Sequence, residues 1–259
     1  MAESEKPLVY LILGAARSGR REVLSDLITD GLGESDRSLV LLSDDEVGSE
    51  ADPALGSVRR WVWMDGQIGT PEGVLGEATH VFFVSDGRRN PVDQIEAFKT
   101  WVLANNGEVA RVICVVNCQL AEKHRELIAW YEACIHFSDI VLLNRREGVA
   151  NKWLSDFQNR FKDQFFPCLF EFVKGGRVKN PALILDPLPR RLSQFFEATD
   201  LPGVDGDTEI DMGIDDDDEP QELEDDDDGE IIPEDPYMVR LAGGHRVKVL
   251  PDIRKFLGD

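Results

Sequence analysis

The residues of this sequence best suited to chemistry are Gly14-Ala15-Ala16-Arg17-Ser18-Gly19-Arg20-Arg21. Their two glycines have the spacing of a phosphate-binding loop, G-x-x-x-x-G-K-[ST]. In such a loop the backbone N–H groups wrap phosphates, the lysine reaches the β/γ-phosphates and the hydroxyl ligates Mg²⁺. Here Arg20 stands at the lysine position and Arg21 at the hydroxyl position. Arg20 keeps a cation there, as a planar fork rather than a compact ammonium. Arg21 cannot ligate a metal, and Arg17 adds further positive charge. The chemistry predicted is anion gripping at a helix N-terminus, where free N–H groups and the helix dipole favour negative charge. The blander reading is a basic surface turn.

Positioning such a loop requires a strand before it and a helix after it. Leu8–Leu13 is an apolar run, and Arg20–Thr29 has a helical pattern. The same alternation continues. Strand-like runs are predicted at 38–42, 58–64, 80–84, 112–116, 140–143 and 169–173. Helices are predicted at 91–104, 120–134 and 152–161, with a weaker one at 189–198. Several strands are continuously apolar, as expected when helices cover both faces of a sheet. The fold class predicted is α/β, a doubly wound and mostly parallel sheet with ligands at the carboxyl ends of its strands.

The 259 residues divide by composition. Residues 1–198 form the predicted α/β domain. Residues 199–235 read as a disordered acidic linker: 19 Asp and Glu fall between Asp200 and Asp235, with no Lys or Arg. The whole chain carries −22, so everything outside that tract carries only −3. Such a tract cannot bury enough apolar area to offset its chain entropy. A solubilising linker is the simplest role for it, and a basic protein partner for residues 200–235 is the alternative. Asp205, Asp207 and Glu209 begin like a calcium loop, but Ile210 occupies the place of the required glycine. Residues 236–259 read as a hairpin around Gly243-Gly244-His245 that docks on the domain or on a partner.

No apolar stretch reaches the length of a membrane span. The polar N-terminus does not read as a signal peptide, and four cysteines without CxxC spacing read as reduced thiols. A cytoplasmic protein is expected, with no membrane and no nucleic-acid partner for so acidic a chain.

Further segments occur in a telling order. Leu41-Leu42-Ser43-Asp44-Asp45-Glu46-Val47-Gly48 follows the second strand. Val84-Ser85-Asp86-Gly87-Arg88-Arg89-Asn90-Pro91 ends the fourth, Val115-Val116-Asn117-Cys118 the fifth, and Leu142-Leu143-Asn144-Arg145-Arg146-Glu147 the sixth. From Leu8 to about Phe170 this series resembles the CobW/HypB/UreG family of P-loop metallochaperone GTPases. Its members have V-N-E-F-G-E-V-G, E-[ST]-[ST]-G-L-A-x-P, V-V-D-A and L-N-K-x-D at these places.

The resemblance implies a P-loop NTPase-like domain that binds GTP or another purine nucleotide through residues 14–21. Asn144, Arg145 and Glu147 would read the base: Asn144 is retained, Arg145 can stack on a purine, and Glu147 carries the acid one methylene further out. The chain departs from the family where chemistry is done. Val84 stands at the Mg²⁺-linked glutamate, and C-x-C-C is missing near Arg59–Gly66, so no zinc motif carries over. The remaining metal candidates are Asp44, Asp45 and Asp86, with Glu46 beside them. Asp86 is also the candidate catalytic residue, or else a helix cap. With both routes to Mg²⁺ altered, Mg²⁺ is in doubt. The expected function is nucleotide binding with weak or absent hydrolysis. The alternative is a pseudo-GTPase interaction module working through its acidic tract and C-terminal segment. Cys114, Cys118 and Cys134 are read as small buried hydrophobes, and His124 as solvated.

Overall fold

A computed structural model describes residues 6–197 and 234–258. Residues 198–233, most of the acidic tract and its calcium-like segment at Asp205, lie outside the described residues, while its last two residues, Glu234 and Asp235, are described. The strands are β1 (Leu8–Leu13), β2 (Ser38–Ser43), β3 (Val58–Met64), β4 (Gln67–Gly69), β5 (His80–Val84), β6 (Glu108–Asn117), β7 (Ile140–Asn144) and β8 (Leu169–Phe172). The helices are α1 (Arg20–Gly31), α2 (Pro91–Ala104), α3 (Cys118–Lys123), α4 (Leu127–His136), α5 (Asn151–Lys162) and α6 (Pro181–Leu185).

The strands form one sheet in the order β4-β3-β2-β5-β1-β6-β7-β8. Every pairing is parallel except β3 with β4. The expected α/β class with a mostly parallel sheet is therefore the class observed.

Side-chain alternation along each strand divides the core. Val9, Leu11 and Leu13 of β1 face a layer that contains residues of α2, α4 and α5. Tyr10 and Ile12 face the opposite layer, with Val23, Leu24 and Leu27 of α1 and Ile184 and Leu185 of α6. The helix starts follow from their caps. Asn90 Oδ1 accepts from the Val92 N–H at the start of α2, with Pro91 behind it. Asn117 Oδ1 accepts from the Leu120 N–H to start α3.

Four local expectations need correction. The helix predicted at 120–134 is two, α3 and α4, parted where His124 takes an extended backbone. No helix forms over 189–197. Instead the buried Asp139 carboxylate accepts from the Arg190 N–H at 2.5 Å and from the Arg191 guanidinium at 3.0 Å. Strand β4 is added by a two-residue turn, Asp65 and Gly66, both at positive φ, and Asp-Gly is a strong hairpin signal. Helix α6 is added behind Asn180-Pro181.

The C-terminal segment makes a tight turn with one antiparallel bridge, Arg240 to Arg246, and no strand ladder. It docks on the α/β core. Tyr237, Met238 and Ile253 join the core layer that contains α2 and α4. Buried Arg246 pairs with Asp93 and Glu96 of α2 at 2.8 and 2.5 Å. Asp235 Oδ2 accepts from Ser193 Oγ at 2.5 Å and bonds His136 Nε2 at 2.8 Å.

Candidate functional site

The glycine loop lies where the fold requires, between the carboxyl end of β1 and the first turn of α1. Gly19 adopts φ 86, a left-handed conformation natural to glycine, and a Cβ there would meet Asn144 Nδ2 at 2.3 Å. No side chain caps the first turn of α1. The loop is fixed from two sides. Asn144 Nδ2, at the end of β7, donates to the Ser18 carbonyl at 2.9 Å. Gly87, after β5, accepts from the Ala16 N–H at 3.0 Å, and a Cβ on Gly87 would fall 2.2 Å from that nitrogen. At the loop tip Arg17 has φ 64, and its guanidinium donates to the Leu257 carbonyl at 3.4 Å.

A cleft of about 460 Å³ opens over the loop. Five arginines line it (Arg17, Arg20, Arg21, Arg88 and Arg145), against the carboxylates Glu22 and Glu46. Gly19 and Ala16 form part of its wall, so five residues of the predicted loop (Ala16, Arg17, Gly19, Arg20 and Arg21) line one opening with Arg145, while Gly14, Ala15 and Ser18 do not. Asn144 braces the loop from beneath. Arg145, at φ 51, pairs with Glu22 at 2.9 Å. Glu147 is exposed and does not line the cleft, and its backbone carbonyl accepts from Gln119 Nε2 at 2.7 Å.

Arg20 and Arg21 are buried. Arg20 donates to the Ser85 carbonyl and, at 2.5 Å, to Glu46 Oε1. Arg21 donates to Glu46 Oε2 at 2.9 Å, to Asp52 Oδ1 at 2.8 Å and to the Val47 carbonyl at 2.9 Å. One carboxylate thus joins both arginines of the loop. Burial alone pushes the Glu46 carboxyl up. The charges and hydrogen bonds of Arg20 and Arg21 outweigh burial and hold it below the usual carboxylate range. Arg60 of β3 fixes the backbone beneath this network, donating to the Ser43 and Glu46 carbonyls at 2.8 and 3.0 Å.

Asp44, Asp45 and Asp86 do not line the cleft over the loop. Asp86 and Asp45 line a neighbouring cleft of about 520 Å³, bounded by Trp63 and by Leu250–Arg254. Arg89 joins them, with Nε on Asp86 at 2.9 Å and Nη2 on Asp45 at 2.6 Å. The other Asp86 oxygen accepts from the Arg88 N–H at 3.0 Å. Asp86 does not cap α2, because Asn90 does. Asp44 is exposed, with its N–H bonded to the Trp61 carbonyl. Among the described residues no group of three or more His, Cys, Asp or Glu could hold a metal ion.

The residues that sequence reasoning missed are Asp52, Arg60, Arg88 and Arg89. Asp52 and Arg60 reach the site from elements far along the chain, so no spacing announced them, whereas Arg88 and Arg89 stand beside Asp86 in a segment whose basic pair was legible. All four cysteines are free and buried. Burial pushes the Cys118 and Cys168 thiols up to about 12. His124 packs on the Phe256 ring, with centroids 5.2 Å apart. No helix among the described residues is long and apolar enough to cross a membrane.

No protein-family model and no curated protein sequence matches this chain. Three of the solved structures similar to it follow. Zn(II)-bound YjiA GTPase from E. coli is 14% identical with a TM-score of 0.43, the match covering 72% of this chain and 67% of that one. The signal recognition particle receptor FtsY from Elizabethkingia anophelis, in complex with GDP, is 15% identical with a TM-score of 0.46, covering 76% and 66%. HypB from Helicobacter pylori, in complex with nickel, is 13% identical with a TM-score of 0.45, covering 68% and 80%. The chain spans about two thirds of the FtsY chain it matches.

Proposed function

We propose that this chain binds a purine nucleotide, GTP foremost, in the cleft over residues 14–21, and hydrolyses it weakly or not at all. The observation that carries this reading is the uncapped start of α1 beneath five guanidinium groups. Free N–H groups at a helix N-terminus, together with cations, attract phosphate. Backbone groups of Gly14 to Arg21, with Arg17, would hold the phosphates. Asn144 positions the loop and Arg145 offers a planar face to a base, while Glu147, outside the cleft in this structure, would have to turn inward to meet the guanine edge. Weak hydrolysis follows from the side chains. Arg21 replaces the metal-binding hydroxyl, and Asp86, the one catalytic candidate, is engaged by Arg89. Calorimetry with GTP, GDP, ATP and ADP, with and without Mg²⁺, tests the reading. No binding to any of them at millimolar concentration overturns it.

A second reading has its own support. Glu46 and Asp52 together already balance Arg20 and Arg21, as expected of a pseudo-GTPase that keeps the fold for interaction. In that case residues 200–235 would recruit a basic protein. A full-length chain with Asp215–Asp218 and Asp225–Asp228 changed to Asn should then lose the partners that the unaltered chain captures.

A further inference from the structure

The fold that this chain resembles binds its nucleotide with Mg²⁺, and the donor set of this chain does not fit that ion. Mg²⁺ requires hard oxygen ligands in near-octahedral array. Four carboxylates around the loop, Glu46, Asp52, Asp86 and Asp45, are instead bound by guanidinium groups. Glu46 is shared by Arg20 and Arg21, Asp52 is held by Arg21, and Asp86 and Asp45 are joined by Arg89. The hydroxyl position of the loop is Arg21, and Val84 ends β5 fully buried. A divalent cation at this mouth would have to displace fixed cations and would face their repulsion.

We infer that the cleft takes the metal-free form of a nucleoside polyphosphate, and that Mg²⁺ weakens binding instead of strengthening it. The inference rests on the nucleotide reading above and names the ligand form that this reading requires. Chelation by Mg²⁺ removes two negative charges from a triphosphate. Five guanidinium groups line the cleft, and Glu22, Glu46 and Asp52 pair with three of them, Arg145, Arg20 and Arg21, so a phosphate must compete with anions already in place and the fuller anion competes better. Arg88, which lines both clefts, pairs with no carboxylate among the described residues. It is fixed near the loop through its backbone, by Asp86. Guanidinium groups also present planar, bidentate donors to phosphate oxygens. Glu46 is the internal anion with which the phosphates compete for Arg20 and Arg21.

The experiment is a pair of calorimetric titrations of the full chain with GTP and with inorganic triphosphate, in EDTA and in excess Mg²⁺. Binding should be about tenfold tighter in EDTA for both probes, as expected where electrostatic complementarity sets the preference. Equal or tighter binding in Mg²⁺ overturns the inference and leaves the nucleotide reading standing. No binding under either condition overturns both. The Arg21→Ser chain restores a hydroxyl ligand and removes the guanidinium nearest the Asp52 carboxylate, so its Mg²⁺ penalty should vanish or reverse. An unchanged penalty in that variant, folded by circular dichroism, overturns the assignment to Arg21. The wild-type comparison does not depend on the variant folding.

Discussion

Asn144 holds Ser18 by a single hydrogen bond of 2.9 Å from its side-chain amide to the backbone carbonyl, across 126 residues of sequence. The end of β7 thereby sets the height of the glycine loop above the sheet. A residue expected to read a nucleotide base acts first as a brace for the loop that would hold the phosphates.

Asn144→Ala removes that brace and leaves a buried carbonyl without its donor. A loss of about 1–3 kcal/mol is expected from the unmade bond. Denaturant unfolding measures it. A midpoint unchanged from wild type would show that water replaces the amide.

Gly87→Ala tests the second support. Its methyl group would lie 2.2 Å from the Ala16 nitrogen, backbone against backbone. Loop or strand end must shift, with a cost of ~1–3 kcal/mol as in overpacked sites. Thermal melting should record a lower Tm, and nucleotide affinity should fall with it.

Glu46 links stability to pH. Its carboxyl is held below the usual range in the folded chain by Arg20 and Arg21, against the effect of burial. Unfolded chain binds that proton more readily. The stabilisation is therefore fully present above the ordinary carboxylate value and is lost as pH falls through the lower, folded value. Glu46→Gln should remove this acid-side dependence. It should also cost about 3 kcal/mol at neutral pH, because buried Arg20 loses its carboxylate partner while Arg21 keeps Asp52. Equilibrium unfolding of both chains from neutral pH into acid measures the difference.

Asp235 fastens the C-terminal segment to the domain. Burial raises its carboxyl, but bonds from His136, Ser193 and the Tyr237 N–H outweigh that and hold it low. Asp235→Ala should loosen residues 234–258 while leaving the sheet intact. Limited proteolysis should cut the segment faster in the variant, with little change in the main unfolding transition. Equal cutting rates would mean that Arg246 on α2 suffices.

Much of the fold was legible because its parts are local. Apolar runs such as Leu8–Leu13 and Ile140–Leu143 can hide only in a covered sheet, and Asn90-Pro91 announces a helix start. The short additions were harder. Strand β4 has three residues and α6 has five, too few for a period to register. The missing helix at 190 was a contest between a weak pattern and a buried Asp139 that captures the chain. The loop of the site was readable from its two glycines. The state of its arginines was not. Where Arg20 points depends on Glu46 and Ser85, which parallel strands bring beside it from 26 and 65 residues away.

The four thiols have a practical meaning. All lie inside the fold, and those of Cys118 and Cys168 stay protonated far above neutral pH. Because the thiolate is the reactive form, alkylating reagents should leave the native chain nearly untouched and mark it only as it opens. The chain thus carries its own clock for unfolding. Ligands that close the cleft should slow that clock, without any engineered label.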